Sequence, residues 1–389
     1  MNREIYMDYA ATTFVKPEVI EEMKLYFHEY FGNPSSVYHI SRSTKMAITR
    51  DREKIASAIN ANRDEIFFTS GGSESDNWAI KGVAFANKEK GKHIITTGIE
   101  HPAVINTCKY MEKQGFKVTY LPVDEFGTVD IKKLEEAIRE DTLLVSIMFA
   151  NNEIGTIQPI KEIGNVCKKR GVLLHTDAVQ AVGNVPIDVK DMNIDLLSMS
   201  SHKFYGPKGI GALYIKKGVK IDSFVHGGSQ ERGRRAGTEN IAGIVGMGKA
   251  LEIAVENMDR ENERLSYIRD KMIEKLLKIP HTRLNGHKSN RLPGNINISF
   301  DFAEGEILVM ALDNKGIYVS AGSACSAGAM EPSYVLKSIG LSDSRAKSSI
   351  RLSLGANTTE EDSSYVTGII KDTVFKLREN NAKWDSKKF

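Results

Sequence analysis

Cysteine is scarce in this chain. Cys108, Cys167 and Cys325 are the only three in 389 residues, and no two of them form a Cys-x-x-Cys pair. That excludes a disulfide framework, leaves no metal site to expect around a cysteine, and makes reduced thiols the expectation. Long apolar runs are missing too: nowhere does an uncharged stretch approach the ~18 residues of a membrane-spanning helix. The opening MNREIYMDYAATTF carries charge where a secretion signal carries an apolar core. A cytoplasmic, unprocessed protein without a membrane partner is expected. Neither charge sign dominates, since 53 Lys and Arg stand against 50 Asp and Glu for a net +3. No basic block is dense enough to follow a phosphate backbone, so a direct nucleic-acid partner is not expected. Proline is sparse, at 10 residues, and no repeat recurs along the chain.

What is present is the composition of a globular protein, 41% hydrophobic and 26% charged, long enough for a large domain with a smaller one attached. From about residue 65, short apolar runs alternate with helical patterns: EIFFTS, KHIITTG, KVTYLPV, LLVSIMFA, VLLHTD, DLLSMS and IGALYIK. That rhythm predicts an α/β domain with a mostly parallel sheet. Residues 241–278 carry apolar positions at helical spacing without a proline, which predicts one long helix or two nearly continuous ones. Beyond it NINISF, IYVS and SSIRLSL read as strands before a final helix. The expected division is a large α/β domain over 16–260 and a smaller α+β domain over 261–389 joined by residues 1–15.

Ligands of open α/β sheets bind beyond the carboxyl ends of the strands, so the polar residues that follow each apolar run carry the chemistry. VLLHTD ends at Asp177, with Gln180 a turn later, and DLLSMS ends in Ser200, Ser201, His202 and Lys203. Asp177 and Lys203 lie 26 residues apart, about one strand-helix-strand unit, which brings a carboxylate and an amine to one edge. A carbonyl-reactive lysine with an aspartate facing a pyridinium nitrogen is the minimum equipment for pyridoxal 5′-phosphate (PLP). Taken alone, a lysine after a strand serves equally well as a surface charge. EIFFTS runs into GGSESDN, where Gly72 and Ser73 open a helix and can cradle a phosphate. MFANNEIG supplies Asn151 and Asn152, and TTGIEHPAV supplies His101, able to stack on an aromatic ring and to move protons near neutral pH. The loop VHGGSQERGRRAGTEN, with Thr238, suits an anion or a subunit contact, and equally a solvated basic loop. Cys108 and Cys167 fall in helical patterns and are expected to be packing residues. Cys325 sits in SAGSACSAGAM, where no bulky neighbour is available to bury the thiol. Arg351, in SSIRLSLG, is a natural bidentate partner for an amino-acid carboxylate, or half of a structural ion pair.

Together these residues resemble the cysteine desulfurases of the NifS and IscS type, within the class V aminotransferase-like PLP enzymes. The resemblance covers nearly the whole chain: MDYAATT, GNPSSVYH at 32–39, SGGSESDN, EHPAV, NNEIG, TDAVQ, SSHKFYGPKGIGALY, RRAGTEN, GSACSAG, EPSYVLKSIGL and SSIRLSLG occur in order and at matching spacing. It implies the PLP-dependent transferase fold of the aspartate aminotransferase type. It implies further that Lys203 holds PLP as a Schiff base, His101 stacks on its ring, Asp177 pairs with its ring nitrogen and Gln180 with its hydroxyl. Gly72, Ser73, Ser200 and His202 then bind the phosphate, with Thr238 supplied by the second subunit of a homodimer, and Asn152 and Arg351 hold the substrate carboxylate. The implied activity converts L-cysteine to L-alanine and leaves a persulfide on Cys325. Its implied recipient is an iron-sulfur scaffold protein or a tRNA-thiolating enzyme. Ser73 stands where many relatives have Thr, and Ser201 where Gly or Ala is frequent; both keep a small side chain. The rivals are a selenocysteine lyase or another class V PLP enzyme, neither of which needs the thiol of the GSACSAG loop, and a phosphate-ligand binding protein, which leaves Lys203, Asp177 and Cys325 without a shared purpose.

Overall fold

The computed structural model describes residues 4–321, 331–381 and 384; Cys325 lies outside them. A short strand β1 (Ile5–Tyr6) precedes two helices, α1 (Pro17–His28) and α2 (Ile40–Ala58). The apolar runs then fold as β2 (Ile66–Thr69), β3 (His93–Thr97), β4 (Lys117–Leu121), β5 (Thr142–Ser146), β6 (Leu173–Asp177), β7 (Leu196–Ser200) and β8 (Gly211–Ile215). Helices α3 (Gly72–Ala86), α4 (Pro102–Lys113), α5 (Ile131–Ala137) and α6 (Ile160–Arg170) occupy the crossovers between β2 and β6.

The large sheet runs in the order β2-β8-β7-β6-β5-β3-β4. β8 is antiparallel to both of its neighbours and the remaining pairs are parallel. Helices cover both faces, so strands such as β5 and β7 are buried at every position and read as unbroken apolar runs rather than alternating ones. One face packs on residues such as Ile163, Ile194 and Met247, the other on Trp78, Ile80 and Met111. Cys167 and Cys108 lie in these two cores, where burial pushes both thiols up to about 12. They are packing residues, as their helical setting predicts.

One detail differs from the sequence pattern. β5 ends at Ser146 instead of continuing through LLVSIMFA to Ala150, yet the Ile147 and Phe149 amides still donate to the His175 and Asp177 carbonyls at 3.1 and 2.8 Å. The chain therefore keeps following β6 up to the edge of the sheet. Of the two forms expected for the long helical stretch the structure has the second, two nearly continuous helices α7 (Ile241–Glu256) and α8 (Met258–Leu277) divided at Asn257, whose side-chain amide turns back onto the Ile253 carbonyl at 2.8 Å.

Beyond α8 come β9 (Thr282–Asn285), β10 (Asn295–Phe300), α9 (Gly305–Asp313), β11 (Ile317–Tyr318), β12 (Ser320–Ala321), α10 (Tyr334–Ser338), α11 (Asp343–Lys347), β13 (Ser349–Ser353) and α12 (Glu360–Glu379). The second sheet runs β12-β13-β10-β9, all antiparallel. IYVS is shared between two sheets: β11 pairs in parallel with β1, and β12 pairs with β13. Ile5 and Met7 consequently share a separate apolar core with Leu265, Ile298, Leu352 and Val366. No described helix is long and apolar enough to cross a membrane.

Candidate active site

Since β2, β3, β5, β6 and β7 run in one direction, their carboxyl ends meet on one edge, and the first polar residues after them face a shared space. That space is a cavity of ≈ 340 Å³. Of the residues singled out in the sequence, Gly72, Ser73, His101, Asn152, Asp177, Gln180, Ser200, His202, Lys203 and Arg351 all line it.

Lys203 closes a single 3₁₀ turn directly after β7, which turns its side chain over the end of the sheet. Its amine donates to the Ala10 and Ala11 carbonyls at 2.5 and 2.7 Å, and the Gln180 amide donates to the same Ala10 carbonyl at 2.9 Å. The backbone of the MDYAATT segment thus holds the amine in place. At one end of the cavity Gly71 adopts φ +154°, and a Cβ on Gly72 would come within 2.6 Å of Val179 Cγ2. Only glycine lets the start of α3 come this close, with its N-terminal amides toward the cavity. Glu74, the one acid in that first turn, pairs with Arg235 at 2.9 Å. His202 approaches Thr12 Oγ1 at 3.0 Å through Nδ1, and burial, with Lys203 and Lys208 nearby, pushes it down to about 4, so the ring is neutral.

Asp177 ends β6 as a buried carboxyl, accepting one amide hydrogen bond from Val179 at 2.9 Å. Burial raises its affinity for a proton, while His101 and Lys203 act the other way. His101 caps α4, where its Nδ1 accepts from the Ala103 amide at 3.1 Å. Burial pushes its pKa below the ordinary value.

Arg351 projects from β13, across the cavity from Lys203's strand. Its guanidinium is 2% exposed and donates to the Asn152 carbonyl at 3.0 Å and to Asp8 Oδ1 at 2.7 Å. Its buried Nε has no hydrogen-bond partner among the described residues. A buried cationic donor left over beside two satisfied ones is the chemistry that accepts a carboxylate.

Two candidates are placed elsewhere, and a third is not among the described residues. Asn151 is structural: its Oδ1 accepts from the Glu153 and Ile154 amides and its Nδ2 donates to the Ile99 carbonyl, which shapes the loop that presents Asn152. Thr238 lies outside the cavity, in a separate hollow of ≈ 170 Å³ with Glu231 and Arg235. Cys325 falls outside the described residues.

Sequence reasoning missed Asp8, Asp76 and the carbonyls of Ala10 and Ala11. MDYAATT was noticed only as part of a resemblance, and a carbonyl has no signature in side-chain identity. Asp76 is the fourth residue after Gly72, so a helix starting at Gly72 places the two on one face, and that spacing was the available signal.

The donor set fits PLP. A glycine-opened helix start with Ser73, Ser200 and His202 suits a phosphate, a buried carboxyl suits a ring nitrogen that carries a proton, and an amine stands within the same cavity. Fold and site together define an α/β enzyme of the kind that holds a cofactor at the ends of parallel strands. The chain belongs to the aminotransferase class-V family, whose model matches residues 5–366. It is 60% identical over 388 residues to a cysteine desulfurase IscS of Clostridium botulinum, covering 99% of this chain and 98% of the relative. It is 58% identical over 377 residues to one of Methanosarcina thermophila, covering 97% and 93%. Among solved structures, a NifS-like protein superposes with a TM-score of 0.91 at 40% identity over 96% of this chain and 100% of that one. A structure of SspA in complex with cysteine superposes with a TM-score of 0.81 at 41% identity over 90% and 98%.

Proposed function

We propose that this chain is a PLP-dependent cysteine desulfurase that takes sulfur from free L-cysteine onto Cys325 and releases L-alanine. The observation that carries the reading is the convergence of the Lys203 amine, the Asp177 carboxyl and the spare Nε of Arg351 on one cavity. Gly72, Ser73, Ser200 and His202 would hold the phosphate, Asp177 the ring nitrogen and Gln180 the ring hydroxyl, with His101 against the ring and Lys203 as the covalent attachment. When bound, PLP supplies an electron sink for the bonds broken at the substrate's Cα and Cβ.

Arg351 and Asn152 fix the substrate carboxylate, which sets the Cα–H bond toward Lys203. The Lys203 amine takes the α-proton and returns it, and its two carbonyl contacts keep it within reach. His101, neutral because it is buried, can relay a proton at Nε2, since Nδ1 is engaged by the Ala103 amide. The Cys325 thiolate then attacks the substrate sulfur: the Cβ–S bond breaks, an S–S bond forms, and the protons balance as L-alanine and an enzyme persulfide.

The homodimer belongs to the same proposal. Phe27, Phe31, Val37 and Met46 are 65–95% exposed along one stretch of the sequence, apolar side chains that a subunit contact would cover, and Thr238 lies outside the cavity of its own chain. The two-domain division at residues 260 and 261, with 1–15 joining the small domain, is supported by the separate core that contains Ile5 and Leu265. The protein works in the cytoplasm and passes its sulfur to an iron-sulfur scaffold protein or a tRNA-thiolating enzyme.

The test is a visible spectrum of the purified protein before and after L-cysteine, with mass spectrometry of the Cys325 peptide. A cofactor band that changes on addition, alanine release and one added sulfur on Cys325 are expected. A PLP-loaded protein that releases alanine but leaves Cys325 unmodified would overturn the persulfide step.

A further inference from the structure

Beneath Asp177 lies a second buried carboxyl that the mechanism above does not use. Asp76 is one turn into α3, is 1% exposed, and lines the same cavity. One oxygen of Asp76, one of Asp177 and a ring nitrogen of His101 all lie within 4.8 Å of one another. The groups that face Asp76 are few. From β6 come Asp177 and His175, from β7 the Ser198 hydroxyl, from the turn after β3 Glu100 and His101, and Lys203 lines the cavity from beyond β7.

These surroundings treat the two carboxyls differently. Asp177 has the Val179 amide at 2.9 Å and the pull of the Lys203 amine. Among the described residues, Asp76 has the Ser198 hydroxyl as its one stabilising contact, and its Oδ1 has no hydrogen-bond partner. His175 approaches that oxygen at 3.7 Å but offers no charge. Its ring is engaged by Ser146 and Ser198 at 2.8 and 3.0 Å, and burial pushes it down to about 3. Burial and the neighbouring Asp177 both hold the Asp76 carboxyl well above its ordinary value. Two carboxylates this close and this buried do not both ionise, so the pair keeps one proton on the member with fewer compensating contacts.

We propose that Asp76 is a positioning residue that stays protonated beneath Asp177, so that Asp177 alone carries the negative charge presented to the ring nitrogen of the cofactor. The inference rests on the PLP reading for its purpose but not for its chemistry, because the buried acid pair exists without the cofactor. While Asp76 is neutral, the floor of the cavity holds one negative charge. When Asp76 loses its proton at alkaline pH, a second appears, and the protonation of whatever faces Asp177 shifts with it.

The experiment is infrared difference spectroscopy of the full-length protein at neutral pH, wild type against Asp76→Asn, paired with an alkaline titration of the cofactor's visible band. The expected result is a buried aspartic-acid carbonyl stretch in the wild type, told from that of the protonated Glu100 by its shift on ¹³C-labelling of aspartate, that is lost in Asp76→Asn, together with an alkaline spectral transition that Asp76→Asn abolishes. Ser198→Ala, which keeps both carboxyls but removes the hydroxyl that favours the charged form, moves that transition to higher pH. Should Asp76→Asn fail to fold, ¹³C-labelled aspartate in the wild type and the Ser198→Ala shift carry the test. Absence of the ¹³C-aspartate-sensitive acid band from the wild type, its survival in Asp76→Asn, or a transition that Ser198→Ala leaves in place would overturn the proposal. A wild type that takes up no PLP refutes the functional reading, and the infrared band then still decides the protonation of Asp76.

Discussion

The two walls of the cavity are built on different principles. The wall made by the large sheet takes its chemistry from strand ends: Asp177 from β6, Lys203 from the turn after β7, and Gly72 from the start of α3. Backbone carbonyls and amides hold these groups, as with the Ala10 and Ala11 carbonyls on Lys203. The opposite wall comes from an antiparallel strand with a core of its own, and it is fastened by side chains. Arg351 links β13 to Asp8 and to the Asn152 carbonyl, Asp8 accepts from Ser320, and Ser333 at the head of α10 donates to Glu153 at 2.6 Å. Parallel topology places one wall at little cost in specific contacts, while the other depends on a few buried polar links, each of which can be cut separately.

Substitutions on the sheet-built wall should have the largest effects. Lys203→Ala removes both the covalent attachment and the proton carrier, and alanine release should fall by about 10⁴-fold. The loss should be accompanied by a changed or missing cofactor band; an unchanged band would exclude covalent attachment at Lys203.

The floor of that wall also carries a pH-dependent strain. Glu100 accepts from the Thr97 hydroxyl and the Met148 amide, but burial pushes its carboxyl from 4.5 to about 8. The folded state therefore holds a proton that the unfolded state releases. Its stabilising contribution is full below pH 4.5 and is lost as pH rises to about 8. Glu100→Gln should flatten this dependence and be more stable at alkaline pH by up to roughly 5 kcal/mol. Denaturant unfolding of the two proteins across that range measures the difference, and parallel curves would place the Glu100 proton elsewhere.

Cutting the other wall should cost less and mainly affect binding. Arg351→Ala removes the carboxylate partner and leaves Asp8 half-buried with Ser320 alone. KM for cysteine should rise by about 100-fold with a smaller change in kcat, and stability should fall by roughly 3 kcal/mol. An effect confined to kcat would separate Arg351 from substrate binding. The smallest expected effect is at Ser333, which caps α10 through the Leu336 amide as well as bonding Glu153. Ser333→Ala should cost about 1–2 kcal/mol in denaturant unfolding, with the cofactor band unchanged. A loss of the band would mean that this link supports the sheet-built wall too.

Legibility in the sequence follows the same division. Each strand of the large sheet was visible as an apolar run; all but the edge strand β4 are buried on both faces, which leaves little room for polar alternation, and residues after most of those runs share one cavity. The strand β1 and its pairing with β11 escaped notice because two residues carry no periodicity, and the position of the break between α7 and α8 was not legible because it rests on one side-chain hydrogen bond of Asn257 within an otherwise helical pattern.

By itself the sequence determined the class of the fold, the residues at its strand ends and, through eleven motifs in order, the family. Only the tertiary structure decided that Arg351 spends two of its donors on Asp8 and Asn152 while its Nε has no partner among the described residues, that Asn151 faces inward while Asn152 faces the cavity, and that an oxygen of Asp76 lies within 4.8 Å of one of Asp177. Strand and helix patterns are local and repeat along the chain, so they can be read from order alone. The charge state of a buried carboxyl depends on which groups from distant segments surround it, and that is settled only when the chain has folded.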